Sequence, residues 1–168
     1  MVGVDSSVDS TTALAWALRQ AQVAGLAVCV VHAWLPDELA HEPCYGQRVV
    51  RERAMTEQAA RDRVHESLAA AATWVPIGRN VVSQFVARGD PGAVLVELSK
   101  DGAQLVVGAT GSGGLPGLLT PTLGSTTRYV LRHAWCPVTV VPSARLRAEP
   151  SPPMYGAVPR ARTPGARS

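Results

Sequence analysis

The chain has 168 residues, 46% of them hydrophobic, and a formal net charge of +3. This length suits one α/β domain with a buried core and is too short for two domains of ordinary size. No apolar run reaches the ~18 residues of a membrane helix and no basic-then-apolar leader is visible, so we expect a cytoplasmic protein with no membrane segment.

The positive charge is concentrated near the C-terminus. Residues 143–168 carry five Arg and one Glu, a local +4, which leaves about −1 for the residues before them. This segment is rich in Pro, Gly and Arg and offers little to a core. We therefore predict a folded domain over residues 1–143 and a disordered tail over residues 144–168. A solvated extension explains the tail better than a nucleic-acid-binding arm, so nucleic acid is not an expected partner.

The three cysteines give no sign of a metal site. Cys29, Cys44 and Cys136 lack C-x-x-C spacing and have no paired histidines at zinc-finger intervals. An odd number of cysteines also argues against a disulfide framework. We predict no metal ligands in the chain.

Hydrophobic periodicity predicts five strands that alternate with four helices. Gly25 suits the end of the first helix, and Asp90 followed by Pro91 suits the start of the third. In chain order the predicted elements are a strand at 1–4, a helix at 9–24, a strand at 26–34, a helix at 51–74, a strand at 81–87, a helix at 91–100, a strand at 103–108, a helix at 124–134 and a strand at 137–141.

This alternation predicts a single α/β domain with an open parallel sheet and helices on both faces. Right-handed crossovers connect strands in such folds. Ligands bind beyond the carboxyl ends of the strands, where the strand order reverses. Asp5 follows the first predicted strand, so its carboxylate can accept a hydrogen bond from a ligand or cap the next helix. The residues alone leave both roles open.

A glycine-rich loop connects the fourth strand with the fourth helix. Residues 108–126 read GATGSGGLPGLLTPTLGST. Glycines there permit φ > 0 or close approach of a ligand, and hydroxyl groups at the predicted N-cap can bond helix N–H groups or a phosphate. The loop alone leaves phosphate binding and a simple turn equally open. The candidate residues are Gly108, Gly111, Gly124, Ser125 and Thr126.

Two common phosphate loops do not fit this segment. A Walker A loop requires a Lys, and no Lys lies between Gly108 and the C-terminus. A dinucleotide fingerprint would need glycine at position 116 after Gly111 and Gly113, where Pro116 stands.

The segment resembles the signature of the universal stress protein family, which is G-x2-G-x9-G-[ST] followed by a helix and a last strand that begins near a Cys-Pro pair. Gly108 and Gly111 match the first part, and Gly124-Ser125 match the last. Twelve residues, 112–123, separate the two parts instead of nine. The run YVLRHAWCPVTVV matches the helix and the strand. The resemblance covers about residues 2–142.

The resemblance implies a Rossmann-like fold with strand order 3-2-1-4-5, which would bring three distant segments together at one crevice. It also implies that the crevice binds ATP with Mg²⁺. Family members usually have a longer segment before the turn that follows the first strand, which reads Asp5-Ser6-Ser7 here, and they commonly have Gly where Ser6 stands. We therefore expect a short first strand or a true start further upstream. The nucleotide-binding residues implied are Asp5 and Ala33 at the base, Val107, Gly108 and Gly111 at the phosphates and ribose, and Gly124, Ser125 and Thr126 at the phosphates.

The function that the resemblance implies is an ATP-binding, non-catalytic module of the stress response that acts through nucleotide-linked dimerisation or partner binding. Family members usually form homodimers partly through the last strand. Pro137 to Val141 is apolar and uncharged, which independently favours pairing of an exposed edge.

Two alternative functions remain open. One is a dimerisation adaptor that binds no nucleotide. The other is a weak ATPase or self-phosphorylating enzyme with Ser112, Ser125 or Thr126 as acceptor, which is disfavoured because no general base or catalytic Lys is evident near them.

Overall fold

The structure is a computed structural model that describes residues 1–35, 56–78, 81–111 and 123–143. The predicted tail at 144–168, the lid-like loop before the second helix and Ser112 lie outside these residues. The described chain contains, in order, β1 Val2–Gly3, α1 Val8–Ala24, β2 Val28–Trp34, α2 Glu57–Ala72, β3 Val82–Arg88, α3 Pro91–Leu98, β4 Leu105–Gly108, α4 Ser125–His133 and β5 Val138–Val141.

The five strands form one parallel sheet in the order β3-β2-β1-β4-β5. The predicted α/β class and the 3-2-1-4-5 order are therefore confirmed. The shortest strand lies at the centre of the sheet, where Gly3 pairs with Val31 on one side and Val2 pairs with Val106 on the other. Backbone bonds extend this pairing, since the Val4 N–H donates to the Val31 carbonyl at 2.9 Å.

Helices cover both faces of the sheet and bury a separate apolar cluster on each. On one face α1 and α2 contribute residues such as Leu14, Leu18 and Val64. On the other face α3 and α4 contribute Leu95 and Val130. Burial of one such aliphatic side chain contributes about 1.5–3 kcal/mol, so these two clusters supply the main driving force for folding. None of the described helices is long and apolar enough to cross a bilayer.

Helix ends agree with the sequence at two predicted positions. Gly25 ends α1 with φ +67°, a left-handed conformation that a residue without Cβ adopts at little cost. Asp90 begins α3, and its carboxylate accepts hydrogen bonds from the N–H groups of Gly92 at 2.9 Å and Ala93 at 3.1 Å. Both caps satisfy backbone groups that a helix end leaves without partners.

The structure differs from the sequence at two other helix starts, where capping by Asp5 was one of two open roles and capping by Ser125 was a prediction. Ser7, not Asp5, is the N-cap of α1, and its hydroxyl accepts from the Ser10 N–H at 3.1 Å. Ser125 is the first residue inside α4, whose N-cap is Gly124 and has no side-chain cap bond. Gly124 takes the position because its backbone is extended there, while Ser125 already has helical geometry. The hydroxyl of Ser125 therefore does not cap the helix.

Ser6 has φ +62°, the one non-glycine residue with positive φ in the described chain. A left-handed conformation costs an L-residue about 1–2 kcal/mol, because Cβ approaches the following carbonyl oxygen. The turn from β1 to α1 thus carries strain at Ser6, the position where the resemblance implies that glycine is common.

We expect Ser6→Gly to raise the free energy of unfolding by about 0.5–1 kcal/mol, since relief of the left-handed strain exceeds the extra backbone entropy of glycine in the unfolded chain. Urea denaturation followed by circular dichroism measures this difference. As a contrast, Ser7→Ala should lower stability by about 1 kcal/mol because it removes the cap. A destabilised Ser6→Gly protein would show that the Ser6 side chain makes a compensating contact.

Candidate functional site

The crevice lies at the carboxyl edge of the sheet, between β1 and β4. These two strands are neighbours, but β1 leads into α1 on one face and β4 leads towards α4 on the other. Chain segments diverge at such a point and leave a gap that ligands occupy in open α/β sheets. The turn after β1 holds Asp5, and the loop after β4 holds Gly108 to Gly111.

Asp5 and Gly111 meet directly across this gap. A Cβ added to Gly111 would lie 2.8 Å from Asp5 Oδ2, so the carboxylate occupies space that any side chain at residue 111 would fill. The other carboxylate oxygen, Oδ1, accepts a hydrogen bond from the Ser7 N–H at 3.1 Å. This bond orients the side chain of Asp5 towards the glycine loop.

Gly124 brings the start of α4 to the same place. Its N–H donates to the Ala109 carbonyl at 2.9 Å, and a Cβ on it would lie 3.3 Å from the Gly111 nitrogen. The two glycines thus form a narrow cradle beside the first turn of α4. First-turn N–H groups of a helix have no intrahelical acceptor and carry a partial positive charge, so this end of α4 suits an anion.

Gly108 has a packing role in the structure. A Cβ on it would lie 2.7 Å from the backbone carbon of Asp9 and 2.9 Å from the Ser10 nitrogen, both on α1. Its carbonyl accepts a hydrogen bond from the buried Thr127 hydroxyl at 2.8 Å. Glycine is needed here because α1 approaches the backbone of β4 closely. Contact of Gly108 with a ligand stays a prediction.

The remaining predicted site residues lie on β2, on β4 and at the start of α4. Val107 is 4% exposed and belongs to the core, so only its backbone could contact a ligand. Ala33 is buried near the carboxyl end of β2, the strand next to β1. Ser125 is exposed and Thr126 is half-buried at the start of α4.

Asp9 fixes the loop from the side of α1. This residue is 8% exposed, and its Oδ2 accepts hydrogen bonds from the Thr110 N–H at 2.8 Å and the Thr110 hydroxyl at 2.6 Å. Burial by itself raises the pKa of Asp9, but hydrogen bonds from Ser143 and Thr110 outweigh it and hold that pKa below its ordinary value. One carboxylate therefore connects α1, the loop after β4 and the end of β5.

The family model of the universal stress protein family matches residues 1–142. The chain belongs to this family. Universal stress protein Rv2623 of Mycobacterium tuberculosis is 31% identical over 158 residues, which cover 84% of this chain and 46% of that protein. Universal stress protein Rv2005c of the same species is 34% identical over 146 residues, which cover 83% of this chain and 44% of that protein. The chain thus spans about half the length of these relatives.

Solved structures of the family share the fold of this member. Universal stress protein UspA from Lactobacillus plantarum superposes with a TM-score of 0.61 at 22% identity and covers 83% of this chain and 95% of its own. A universal stress protein in complex with cAMP superposes with a TM-score of 0.51 at 24% identity, and the match covers 84% of this chain and 94% of that chain. The universal stress protein from Archaeoglobus fulgidus in complex with dAMP superposes with a TM-score of 0.55 at 20% identity, and the match covers 83% of this chain and 94% of that chain. Identities this low support the fold alone.

Sequence reasoning missed Asp9, Thr110 and Thr127 in this family member. The family signature does not include Asp9, and its partner Thr110 is 101 residues away in the chain. An acidic residue in the first turn of a predicted helix was the only available signal, and it indicates no more than a favourable interaction with the helix dipole.

We expect Asp9→Asn to lower the free energy of unfolding at pH 7 by about 1–3 kcal/mol, because hydrogen bonds to a buried carboxylate are stronger than those to an amide. Hydrogen bonds from Ser143 and Thr110 hold the folded-state pKa of Asp9 below its ordinary value. The difference should therefore persist above pH 4 and shrink as the pH falls through that lower folded pKa. Urea denaturation between pH 7 and pH 3 measures it.

The exposed Asp101, three residues after α3, provides a matched control. Asp101→Asn removes the same charge without a buried hydrogen-bond network and should change stability by less than about 0.5 kcal/mol. A constant deficit of Asp9→Asn from pH 7 to pH 3 would contradict the assigned role of the carboxylate.

Proposed function

We propose that the chain is a non-catalytic regulatory module of the stress response that binds an adenine nucleotide, with ATP as its Mg²⁺ complex among the ligands. The nucleotide would alter dimerisation or partner binding. The observation that carries the proposal is the cradle of Gly111 and Gly124 beside the first turn of α4. Family structures with cAMP and dAMP support a nucleotide of this kind as the ligand.

The geometry suits a phosphate because small residues and helix N–H groups meet there. The absence of a side-chain cap on α4 leaves first-turn donors for a ligand oxygen. A base and ribose would then lie towards Asp5 and the end of β2. The interaction of one charge with the helix end contributes only ~0.3–1 kcal/mol, so most of the affinity must come from several backbone hydrogen bonds.

Mg²⁺ fits this site as part of the ligand. Asp5 and Asp9 place two carboxylates around the loop, and both oppose the charge of a free triphosphate. A bound Mg²⁺ would neutralise part of that charge. In the described residues no cluster of three or more His, Cys, Asp or Glu is suited to hold a metal by itself.

We expect Gly111→Val to weaken Mg²⁺–ATP binding at least about tenfold, because the new side chain displaces Asp5 and fills the cradle. Isothermal titration calorimetry measures the affinity. Gly78→Val is the matched control, since Gly78 is exposed after α2, towards the opposite edge of the sheet, and a Cβ there meets no atom within 4 Å. Its affinity should equal that of the parent.

Titration of the parent protein distinguishes the nucleotide-binding module from the dimerisation adaptor. Saturable binding that only Gly111→Val abolishes would support the nucleotide-binding module. Absence of heat in the parent, with no nucleotide released on denaturation, would refute it and leave the dimerisation adaptor.

We further propose that the module forms a homodimer through β5, which is an edge strand. The Leu105 N–H of β4 donates to the Pro137 carbonyl at 2.9 Å, and the Ala109 N–H just after β4 donates to the Val141 carbonyl at 3.2 Å. Because bonding direction alternates along a parallel strand, the backbone groups of Val138 and Val140 point to the open edge. Their side chains lie against the core cluster of α3 and α4. The outward N–H groups are available to a second chain.

We expect Val140→Pro to raise the dimer dissociation constant about tenfold, since it removes an outward N–H and leaves the bonds to β4 intact. Val140→Ala is the control and keeps that N–H. Analytical ultracentrifugation over a concentration series measures both. A monomeric parent, or equal dissociation constants for the two variants, would contradict an interface at this strand. The cytoplasmic location and the disordered tail remain predictions.

A further inference from the structure

The hydrogen bonds of Asp9 affect what the glycine loop can bind. Loops of this type hold phosphates through successive backbone N–H groups. Here the Thr110 N–H, immediately before Gly111, points to Asp9 Oδ2 at 2.8 Å, and the Thr110 hydroxyl donates to the same oxygen at 2.6 Å. One donor of the loop is therefore already bonded to an anion of the protein itself.

The charge of Asp9 is retained at neutral pH. Its hydrogen-bond partners Thr110 and Ser143 are neutral hydroxyl and amide groups, which stabilise the ionised carboxylate without cancelling its charge. The residue is buried, so water and salt screen this charge less than they would on an exposed side chain. A ligand phosphate beside Thr110 and Gly111 would experience the repulsion, and the repulsion grows with the number of charges on the ligand.

We propose that Asp9 is a specificity-determining residue of the crevice: it takes one loop donor and adds a fixed negative charge, so the site prefers adenosine monophosphates to metal-free ATP. This inference rests on the proposed nucleotide-binding function and adds a charge class to its ligand. Asp9 acts through the loop and its electric field, without a required contact to the nucleotide. Asp9 repels the Mg²⁺ complex of ATP less than metal-free ATP, because the metal ion neutralises part of the negative charge of the triphosphate.

The test compares AMP and ATP, both in the presence of EDTA, by calorimetric titration of the full chain. The parent should bind AMP about tenfold more tightly than ATP, because each additional ligand charge is repelled at short range in a partly buried site. Asp9→Asn and Asp9→Ser remove the charge, and either should reduce this ratio about threefold or more. Two neutral variants keep the comparison possible if one of them does not fold.

Thr110→Val is the matched control for a purely structural effect. It removes the hydroxyl donor, keeps the carboxylate and keeps the backbone N–H. Both affinities should fall by the same factor, and the ratio of AMP to ATP affinity should stay within about twofold of the parent value, since the charge is unchanged.

The outcomes separate this inference from the function on which it rests. Parent protein that binds neither nucleotide would refute nucleotide binding and the role of Asp9 with it. Parent protein that binds both equally well, or neutral Asp9 variants that keep the parent ratio, would refute the role of Asp9 alone. A ratio that falls in the neutral variants and persists in Thr110→Val would support it.

Discussion

The close packing of α1 against the end of β4 is the constraint on which the crevice depends. A methyl group at Gly108 would lie 2.7 Å from the backbone carbon of Asp9, so the two elements can approach this far only with glycine at that position. The approach brings the carboxylate of Asp9 to Thr110. On the other face, Thr127 of α4 donates to the carbonyl of the same glycine. Helices on both faces of the sheet are therefore anchored at one residue.

The three glycines of the family signature perform three different tasks. Gly108 allows a helix to pack, Gly111 leaves space for the carboxylate of Asp5, and Gly124 starts α4 without a side-chain cap. Gly108 is buried, whereas Gly111 is exposed and Gly124 is half-buried. A shared sequence pattern thus combines a requirement for folding with two requirements for the crevice, and a loss of binding after substitution has a different cause at each position.

Much of the fold was predictable because local chemistry determines it. Periodicity gave the alternation of elements, Gly25 and Asp90 with Pro91 gave helix ends, and the family resemblance gave the strand order. The contacts that form the site were harder to predict from the sequence. Asp9 and Thr110 are 101 residues apart, and no local pattern reports such a pairing. The N-cap of α4 was misassigned because serine usually outranks glycine there, whereas the extended backbone of Gly124 takes that role.

The contact between Gly124 and the start of the loop bears on the length that this connection can have. The Gly124 N–H donates to the Ala109 carbonyl at 2.9 Å and so holds the two ends of the connection together. The geometry of the crevice therefore does not depend on the number of residues between these ends. Closing twelve residues rather than nine costs only about 0.3 kcal/mol of additional chain entropy. An insertion between these two ends would therefore leave the hydrogen-bonded base, and the sheet edge beneath it, unchanged.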